Sequence, residues 1–531
     1  MVVKRYNNSA MTNNDTLPRN VDDLTELVIT QRDQLVHQSL FIDQLLEQIK
    51  LAQHHRFGVK SEHISPDQLR LLLEYDQKQN SDVVDIDDEK SEPQETAIPA
   101  KRAKRGRRKL PDYLPRVEIE HTLSDEACCC EQCLAELTPV SQKITEQLDI
   151  VPAQVRVIRH CRQTYQCPQC DNGLKTAPLP PQPIPRSNAT AGTLTYLIIA
   201  KYLEGMPLYR LERQLSRYGM PVPRATLASW MIQCGQLVQP LINLMRDRLV
   251  SYDIIAMDES RYQVLKEAGK TPQSQSYIWV QRGGPPDSPV ILYDYDPSRS
   301  QSVPLRLLDG FKGYLQTDAY EGYGQVCREN KLISVGCMAH ARRKFDEALK
   351  AQSSVDPNKQ KSTLAAQALK QIQALYRIER EIKLLSSEEI KRARQARSVP
   401  LLNELKTWLD ANIIVVPPRS TLGKAMKYLN KQWDKLTVYT TDGRLRIDNN
   451  LCENAVRPFV MGRKGWLFAN SVAGANASAN LYSLVETAKA NGHEPYAYIK
   501  QVLTDLPAAQ TLEDIEALLP FNSQLSDSHV A

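Results

Sequence analysis

Long apolar runs are scarce in this chain, and neither charge sign dominates it. The longest apolar stretches, such as LTYLIIA at 194–200, are far too short to span a bilayer, and no signal-peptide core is visible near residue 1. We therefore expect a cytoplasmic protein. The net charge of +5 over 531 residues is too small to indicate a nucleic-acid partner by itself.

Disulfide bonds are not expected among the 11 cysteines, because a long chain without a secretion signal keeps its thiols reduced. Cys130-x-x-Cys133 and Cys167-x-x-Cys170 each bring two thiols within reach of one tetrahedral ion. This spacing predicts a module at 116–175 that holds structural Zn²⁺, with unrelated thiols as the alternative. Alternative ligands in the same region are Cys128, Cys129, Cys161, His121 and His160.

The N-terminal region, 1–80, contains a short coiled-coil pattern. Val28, Leu35 and Ile42 recur at steps of seven, which predicts a helix that either oligomerises or packs on its own chain. An acidic and then basic linker follows at 81–115 and contains KRAKRGRRK at 101–109. This run favours a contact with the DNA backbone, and a solvated charge run is the alternative. Its candidate contacts are Lys101, Arg102, Lys104, Arg105, Arg107 and Arg108.

Residues 186–248 are predicted to form a helical region like a helix-turn-helix. The segment PLYRLERQLSRYGMPVPRATLASWM indicates two helices with Gly219 in the turn between them. Leu211, Leu215, Leu227 and Trp230 would face inward. The same spacing also fits a plain helical hairpin that does not read DNA.

From residue 252 the pattern changes to strands, and the order β-β-β-α-β-α-β is predicted within 249–350. This order is the skeleton of an RNase H-like sheet, in which the first and fourth strands lie side by side. Asp258 is predicted to end the first strand and Asp318 the fourth, so both carboxylates should reach one edge. Two convergent acids can hold Mg²⁺ or Mn²⁺.

A third carboxylate is predicted on a helix within RIDNNLCENAVRP. Asp448 would cap a helix that starts at Asn449, runs to Arg457 and stops before Pro458. Glu453 would then lie in the middle of that helix, with Arg457 one turn later on the same face. A surface ion pair between the two is the alternative.

The third acid stands far from the first two in sequence, and the residues between them, 351–445, are predicted to be a helical insertion. The catalytic core would resume at 446–500, and a C-terminal tail would occupy 501–531. Basic residues cluster beside the last strand and the glutamate helix, where they can hold DNA phosphates. These candidate contacts are His340, Arg342, Arg343, Lys344, Arg457, Arg463 and Lys464.

An ordered set of motifs covers nearly the whole chain: FGVKSE, the double cysteine knuckle, PLYRLE, MDES, TDAYEGY, CMAHARRKF, IDNNLCENAVRPFVMGRKGWLF and YSLVETAKANG. Together they resemble transposases of the insertion-sequence-sixty-six family. The resemblance implies a bacterial, nucleoid-associated D-D-E transposase whose acids are Asp258, Asp318 and Glu453. It also implies double-stranded DNA, a second copy of the chain and accessory proteins of the same element as partners.

The sequence as a whole predicts a multidomain α+β protein. An RNase H-like α/β catalytic domain with a large helical insertion follows a coiled-coil helix, a zinc module and the helix-turn-helix-like region. The predicted activity is cleavage at element ends and transfer of the freed 3′-hydroxyl into target DNA, with two Mg²⁺ or Mn²⁺ ions. The alternatives are a non-catalytic, zinc-containing DNA-binding regulator and a two-carboxylate glycosidase that would survive chelation.

Overall fold

The computed structural model describes residues 155–165, 174–351 and 363–523, with isolated positions at 31, 32, 35, 38, 42, 45, 46 and 118. Residue contacts divide the chain into two compact units, of which one comprises 76–161 and the other the remainder. Leu35 and Ile42 of the predicted coiled coil are helical and exposed. The predicted zinc ligands Cys130, Cys133, Cys167 and Cys170 and the basic residues at 101–108 lie outside the described residues.

The described part of the chain is a mixed α/β structure. Its strands are β1 (Thr164–Tyr165), β2 (Lys175–Thr176), β3 (Ile254–Lys266), β4 (Gln275–Gly283), β5 (Val290–Asp296), β6 (Tyr314–Gln316), β7 (Ile333–Val335) and β8 (Ala469–Ser471). The helices that precede β7 in the chain are α1 (Ala191–Ile198), α2 (Leu208–Arg217), α3 (Arg224–Leu237), α4 (Gln239–Val250), α5 (Ser302–Leu307) and α6 (Tyr323–Glu329). The later helices are α7 (Met338–Ala351), α8 (Leu364–Glu381), α9 (Ser387–Ala393), α10 (Val399–Ile413), α11 (Thr421–Lys431), α12 (Trp433–Thr437), α13 (Asn450–Trp466), α14 (Val472–Ala490), α15 (Pro495–Asp505) and α16 (Leu512–Glu516). No helix in these ranges is long and apolar enough to cross a membrane.

The main sheet has the strand order β5-β4-β3-β6-β7. Strands β3, β4 and β5 form an antiparallel meander, and β6 and β7 run parallel to β3. The predicted element order and the side-by-side first and fourth strands are thus confirmed. Strand β8, which pairs in parallel with the far end of β3, was not predicted, because so short a strand carries little periodic signal.

The central strand and one edge strand of the sheet are both covered by other parts of the protein. In β4, Ile278, Trp279 and Val280 are all fully buried, so both faces of this central strand are covered. Strand β5 lies at the sheet edge, where hydroxyl groups of α14 satisfy its free backbone groups: Tyr293 N donates to Ser483 Oγ at 2.8 Å and Ile291 N to Thr487 Oγ1 at 3.0 Å. The helix therefore blocks pairing of this edge with another strand.

The helix–turn–helix arrangement in the sequence is confirmed. Helices α2 and α3 flank Gly219, which adopts φ +77°, a left-handed conformation that glycine accepts without steric cost. The predicted inward residues are all buried. They are Leu211, Leu215, Leu227 and Trp230.

Between β7 and α13 the described chain is helical, as predicted. Helices α7, α8, α10 and α11 enclose a second hydrophobic core that contains Phe345, Leu375, Leu405 and Met426. Arg394, at the end of α9, is 3% exposed and connects this core to the segment before α13. Beyond α14, helix α15 crosses residue 500 and buries Tyr498 and Leu503 in the main core.

Candidate active site

The candidate active site, defined as Asp258, Asp318 and Glu453, begins on β3. Parallel pairing of β3 with β6 aligns Ala256 with Gln316. Asp258 and Asp318 each lie two residues beyond this aligned pair, so the register brings both acids to the same edge. The prediction that Asp258 ends its strand is wrong, because β4 continues to pair with β3 beyond it, and Asp258 itself faces Val280 across the ladder.

A local turn holds Asp318 after β6 ends. Its Oδ1 accepts a hydrogen bond from Tyr320 N at 2.9 Å, which is the pattern of an Asx turn. Thr317 N donates to Val335 O at 3.1 Å, so the chain stays attached to β7 up to the residue before Asp318. The carboxyl group of Asp318 is therefore fixed relative to the sheet although it lies outside a strand.

The third acid reaches the site because the first turn of α13 is bonded to β3. Asn449 Nδ2 donates to Met257 O at 3.0 Å in a buried hydrogen bond, and Cys452 Sγ contacts Ala256 O at 3.6 Å. Both acceptors immediately precede Asp258 in the strand. These contacts place Glu453, the next residue after Cys452, beside the two aspartates.

The predicted bounds of this helix are wrong. It runs from Asn450 to Trp466, so Glu453 lies in its first turn, and Arg463 and Lys464 lie in its last turn. Pro458 does not end the helix, although a proline removes one backbone hydrogen bond. The burial of Phe459 against the sheet and a hydrogen bond from Tyr293 Oη to Ala455 O offset that loss. The prediction that Asp448 caps this helix is also wrong: the N-cap residue is Asn449, which makes no side-chain cap hydrogen bond, and Asp448, one residue earlier, accepts from Asn450 N at 3.2 Å.

The three carboxylates interact electrostatically. Burial, together with the negative charges of Glu259, Asp318 and Glu453, raises the pKa of Asp258 to about 7, against one hydrogen bond from Glu259 N that lowers it. A carboxyl group with this pKa is close to half protonated at neutral pH. Deprotonation of Asp258 therefore places negative charge beside the other acids, which a bound cation would offset.

Glu259, which sequence reasoning missed as a site residue, lies next to Asp258 but points to the other face of the sheet. Its carboxylate accepts from Arg299 Nε at 2.8 Å and from Tyr323 Oη at 2.5 Å. The Arg299 guanidinium also lies 3.9 Å from the ring centroid of Tyr320. Arg299 thus connects the residue after Asp258 to the turn that holds Asp318. The only sign of Glu259 in the sequence is the second acid of the motif MDES, and the sequence does not reveal that this side chain is buried.

Sulfur and imidazole groups also lie beside Glu453. The ligand atoms of Cys337, His340 and Glu453 are all within 4.8 Å of one another, and among the described residues no such group combines Asp258, Asp318 and Glu453. His340 Nδ1 lies 3.6 Å from Glu453 Oε1, and Cys337 Sγ lies 4.0 Å from the same oxygen. His340, a predicted DNA contact, thus lies beside Glu453, and its role toward DNA stays a prediction.

Two of the predicted phosphate-binding cations lie beside the acids or their strand, and the others are described by different contacts or by exposure. Arg343 Nη2 lies 3.5 Å from Glu453 Oε2, and Arg463 Nη1 donates to Ser260 Oγ at 3.3 Å, two residues along β3 from Asp258. Arg342 lies over the Tyr376 ring and Lys344 over the Tyr428 ring. Arg457 and Lys464 are exposed on α13.

Models of known protein families match four successive parts of the chain. "Transposase C of IS166 homeodomain" matches residues 44–119, and "zinc-finger binding domain of transposase IS66" matches 127–171. "Transposase IS66 family" matches 186–477, and "IS66 C-terminal element" matches 483–521. The zinc-finger match spans the four predicted cysteine ligands and supports structural zinc.

These matches define the class of protein as a transposase. The chain belongs to the IS66 (insertion-sequence-sixty-six) family, because one family model covers more than half of it.

Relatives in Sinorhizobium fredii extend over most of the chain. Uncharacterized protein y4jD is 29% identical over 96% of this chain and 97% of its own length. Uncharacterized protein y4qI is 30% identical over 80% of this chain and 78% of its own length, and uncharacterized protein y4hP is 26% identical over 78% and 76%. The similarity therefore includes the zinc-finger, helical and sheet regions together.

Proposed function

We propose that this transposase is a D-D-E enzyme with an RNase H-like catalytic domain, which cuts DNA at the ends of its element and joins the freed 3′-hydroxyl to target DNA. The observation that supports this most is that Asp258 is buried beside two further acids, Asp318 and Glu453, whose negative charges raise its pKa. The antiparallel meander followed by two parallel strands also fits an RNase H-like sheet.

The three acids fit a pair of divalent cations such as Mg²⁺ or Mn²⁺. Their donors are hard carboxylate oxygens, which these ions prefer. Within the described part of the chain, neither Asp258 nor Asp318 forms an ion pair with a lysine, arginine or histidine. Asp258, Asp318 and Glu453 would hold the ions through their carboxylate oxygens.

The bound ions would supply acidity to the attacking water or hydroxyl and charge stabilisation to the leaving oxygen. The protein residues do the positioning. Asn449 and Cys452 hold Glu453 against β3, and the turn at Tyr320 holds Asp318. Arg343, near Glu453, and Arg463, two residues along the strand from Asp258, can bind the phosphates on either side of the scissile bond.

We further propose that the zinc module, the basic arm and the α2–α3 unit bind the element ends. The residues of the arm are cationic and carry no apolar anchor, which fits a contact that follows the DNA backbone. A homo-oligomer that holds two ends together follows from the chemistry, because both ends must be joined to one target. Accessory proteins of the element and a location at the bacterial nucleoid complete the proposal.

The test uses labelled element-end DNA, the full-length protein and Mg²⁺. Wild-type protein should cut and join strands, and Glu453→Gln should lose at least a hundredfold in both steps while binding the DNA normally, because the isosteric amide cannot serve as an anionic ligand. Glu321→Gln is the matched control, since Glu321 is an exposed acid paired with Lys431.

Joining by Glu453→Gln at the wild-type rate, or joining that survives EDTA, would refute the proposal. Binding without any cleavage by the wild-type protein would instead favour a DNA-binding regulator.

A further inference from the structure

We infer that Cys337, His340 and Glu453 form a site for a soft divalent cation such as Zn²⁺, and that its occupation inhibits the transposase by withdrawing Glu453 from the other two acids. The inhibition rests on the proposed function, whereas the binding site does not. Below, these three residues are called the Cys337 cluster.

The distances of the Cys337 cluster fit a small tetrahedral ion. Bonds of about 2.0–2.3 Å separate the ligand atoms of a tetrahedral zinc ion by about 3.3–3.6 Å. The separation from Glu453 Oε1 is 3.6 Å for His340 Nδ1 and 4.0 Å for Cys337 Sγ. The third separation, between Cys337 Sγ and His340 Nδ1, is within 4.8 Å, so side-chain movements of up to about 1.2 Å would close the set around one ion.

The chemistry of the donors differs from that of the three acids. Thiolate and imidazole select zinc and similar ions, whereas Mg²⁺ takes oxygen ligands. The buried Nδ1 atom of His340 has no hydrogen-bond partner, so a ring nitrogen aimed at Glu453 is free to coordinate. Three protein ligands leave a fourth position for water, and the half-buried side chains of His340 and Glu453 leave a path from solvent.

Backbone contacts hold the ligands in place before any ion arrives. Met338 N donates to Ile447 O at 3.0 Å, and Asn449 N donates to Cys337 Sγ at 3.2 Å. The end of β7 is therefore bonded to the segment that leads into α13. Burial raises the pKa of the Cys337 thiol to about 12, against the hydrogen bond from Asn449 N that lowers it, so an ion must displace the thiol proton in order to bind. On binding, the thiol proton of Cys337 leaves to solvent and the sulfur becomes the ligand.

The first experiment measures binding without reference to activity. Full-length protein with its zinc module filled is titrated with Co²⁺, and the thiolate-to-cobalt charge-transfer absorption is recorded. Wild-type protein should show a band that Zn²⁺ displaces, and Cys337→Ser should lack it. Cys327→Ser, which removes a half-buried thiol on α6, should retain it. The thiols of the zinc module are the same in all three proteins, so they cancel in the comparison.

A second variant keeps the thiol and tests the imidazole. His340→Gln should weaken the Co²⁺ signal by at least tenfold, since even the loss of an outer contact to a metal ligand costs ten- to a hundredfold. Thermal denaturation of each variant checks that it is folded. A Co²⁺ signal in folded Cys337→Ser equal to that of wild type would overturn the inference.

The second experiment measures inhibition. Zn²⁺ added at constant Mg²⁺ should suppress strand joining by wild type and by Cys327→Ser. Cys337→Ser, relative to its own activity in Mg²⁺ alone, should need at least tenfold more Zn²⁺ for the same suppression. Equal sensitivity would overturn the inhibitory role. A wild-type protein that shows the cobalt band but joins no strands would instead refute the proposed function and leave the metal site intact.

Discussion

At the scale of single residues, the sequence selects the three candidate acids, whose role stays a prediction, but it did not reveal their surroundings. Asp258, Asp318 and Glu453 follow from strand order and motif, and the structure brings them close enough for their charges to interact. Sequence spacing did not reveal Glu259 or its bonds with Arg299 and Tyr323, because these depend on which face of the sheet is covered. The burial of Glu259 beside Asp258 is visible only in the packed structure.

Asp258 gives a prediction for the metal-free protein. Its folded pKa of about 7 exceeds the ordinary value of 3.8, so the folded state binds more protons and this group destabilises the fold as the pH rises from 3.8 through 7. Asp258→Asn should therefore increase the free energy of unfolding in EDTA above pH 7, by on the order of 2 kcal/mol, and change little near pH 4. Urea denaturation at both pH values measures this, and an equal change at the two would contradict it.

The same pKa affects metal binding. Cation binding to Asp258 must displace its proton, so the affinity for Mn²⁺ should fall as the pH is lowered below about 7, approaching tenfold per pH unit. Calorimetric titration with Mn²⁺ on either side of pH 7 measures the slope. An affinity that does not change across this range would show that Asp258 is not a ligand.

Arg299 should contribute to stability through Glu259. Arg299→Met leaves a buried carboxylate without its cation and should lower the free energy of unfolding by about 1–3 kcal/mol. The double variant with Glu259→Gln should recover part of that loss, because no buried charge remains. Arg306→Met, which breaks a more exposed pair with Asp296, should cost less than about 1 kcal/mol. Equal losses for the two single variants, measured by urea denaturation, would refute the role of burial.

At the scale of elements, order and direction were predictable but boundaries were not. The meander and the parallel first and fourth strands follow from period and turn residues. Helix α13 extends past Pro458 because tertiary burial outweighs a local helix-breaking signal. The ends of β6 and the existence of β8 depend on pairing with β3, which a local pattern does not encode.

The approach of β6 to β3 depends on Gly313. This residue has φ +132°, and a Cβ atom there would lie 2.2 Å from Asp253 O. Gly313→Ala should therefore force the two strands apart and destabilise the protein by about 2 kcal/mol or more, of which ~1 kcal/mol is backbone strain. Because Asp318 follows β6, the substitution should also abolish strand joining. Gly310→Ala is the control, because its φ is +77° but nothing lies within 4 Å of the added Cβ. Similar melting temperatures for the two variants would refute the argument.

At the scale of the whole molecule, the helical segment between β7 and α13 supports the site. Tyr376 Oη on α8 donates to Asp448 Oδ2 at 3.0 Å, immediately before the glutamate helix. Arg394 binds both carboxylate oxygens of Glu379 and donates to the carbonyl oxygens of Tyr439, Asp442 and Leu445. The sequence predicted that this segment is helical, but its contacts with the loop before α13 required the packed structure.

Loss of Arg394 should therefore affect both stability and activity. Arg394→Met leaves Glu379 largely buried without its partner and should cost about 3–5 kcal/mol. Arg397→Met, which removes a neighbouring but exposed pair with Glu381, should cost less than about 1 kcal/mol. Urea denaturation and strand joining at low temperature are the two measurements. Equal stability of both variants would show that the buried arginine does not support the loop.

The tether between α13 and β3 has a consequence for synthesis of the chain on the ribosome. The carbonyl oxygen of Met257 can accept its hydrogen bond only after Asn449 has been synthesised, and the far end of β3 can pair only after β8 has been synthesised. A nascent chain, or the product of a gene copy interrupted before codon 449, would therefore contain the segments proposed to bind element ends but would lack Glu453, the third acid proposed for cleavage. Such a truncated product would compete with the full-length protein for the element ends and inhibit it.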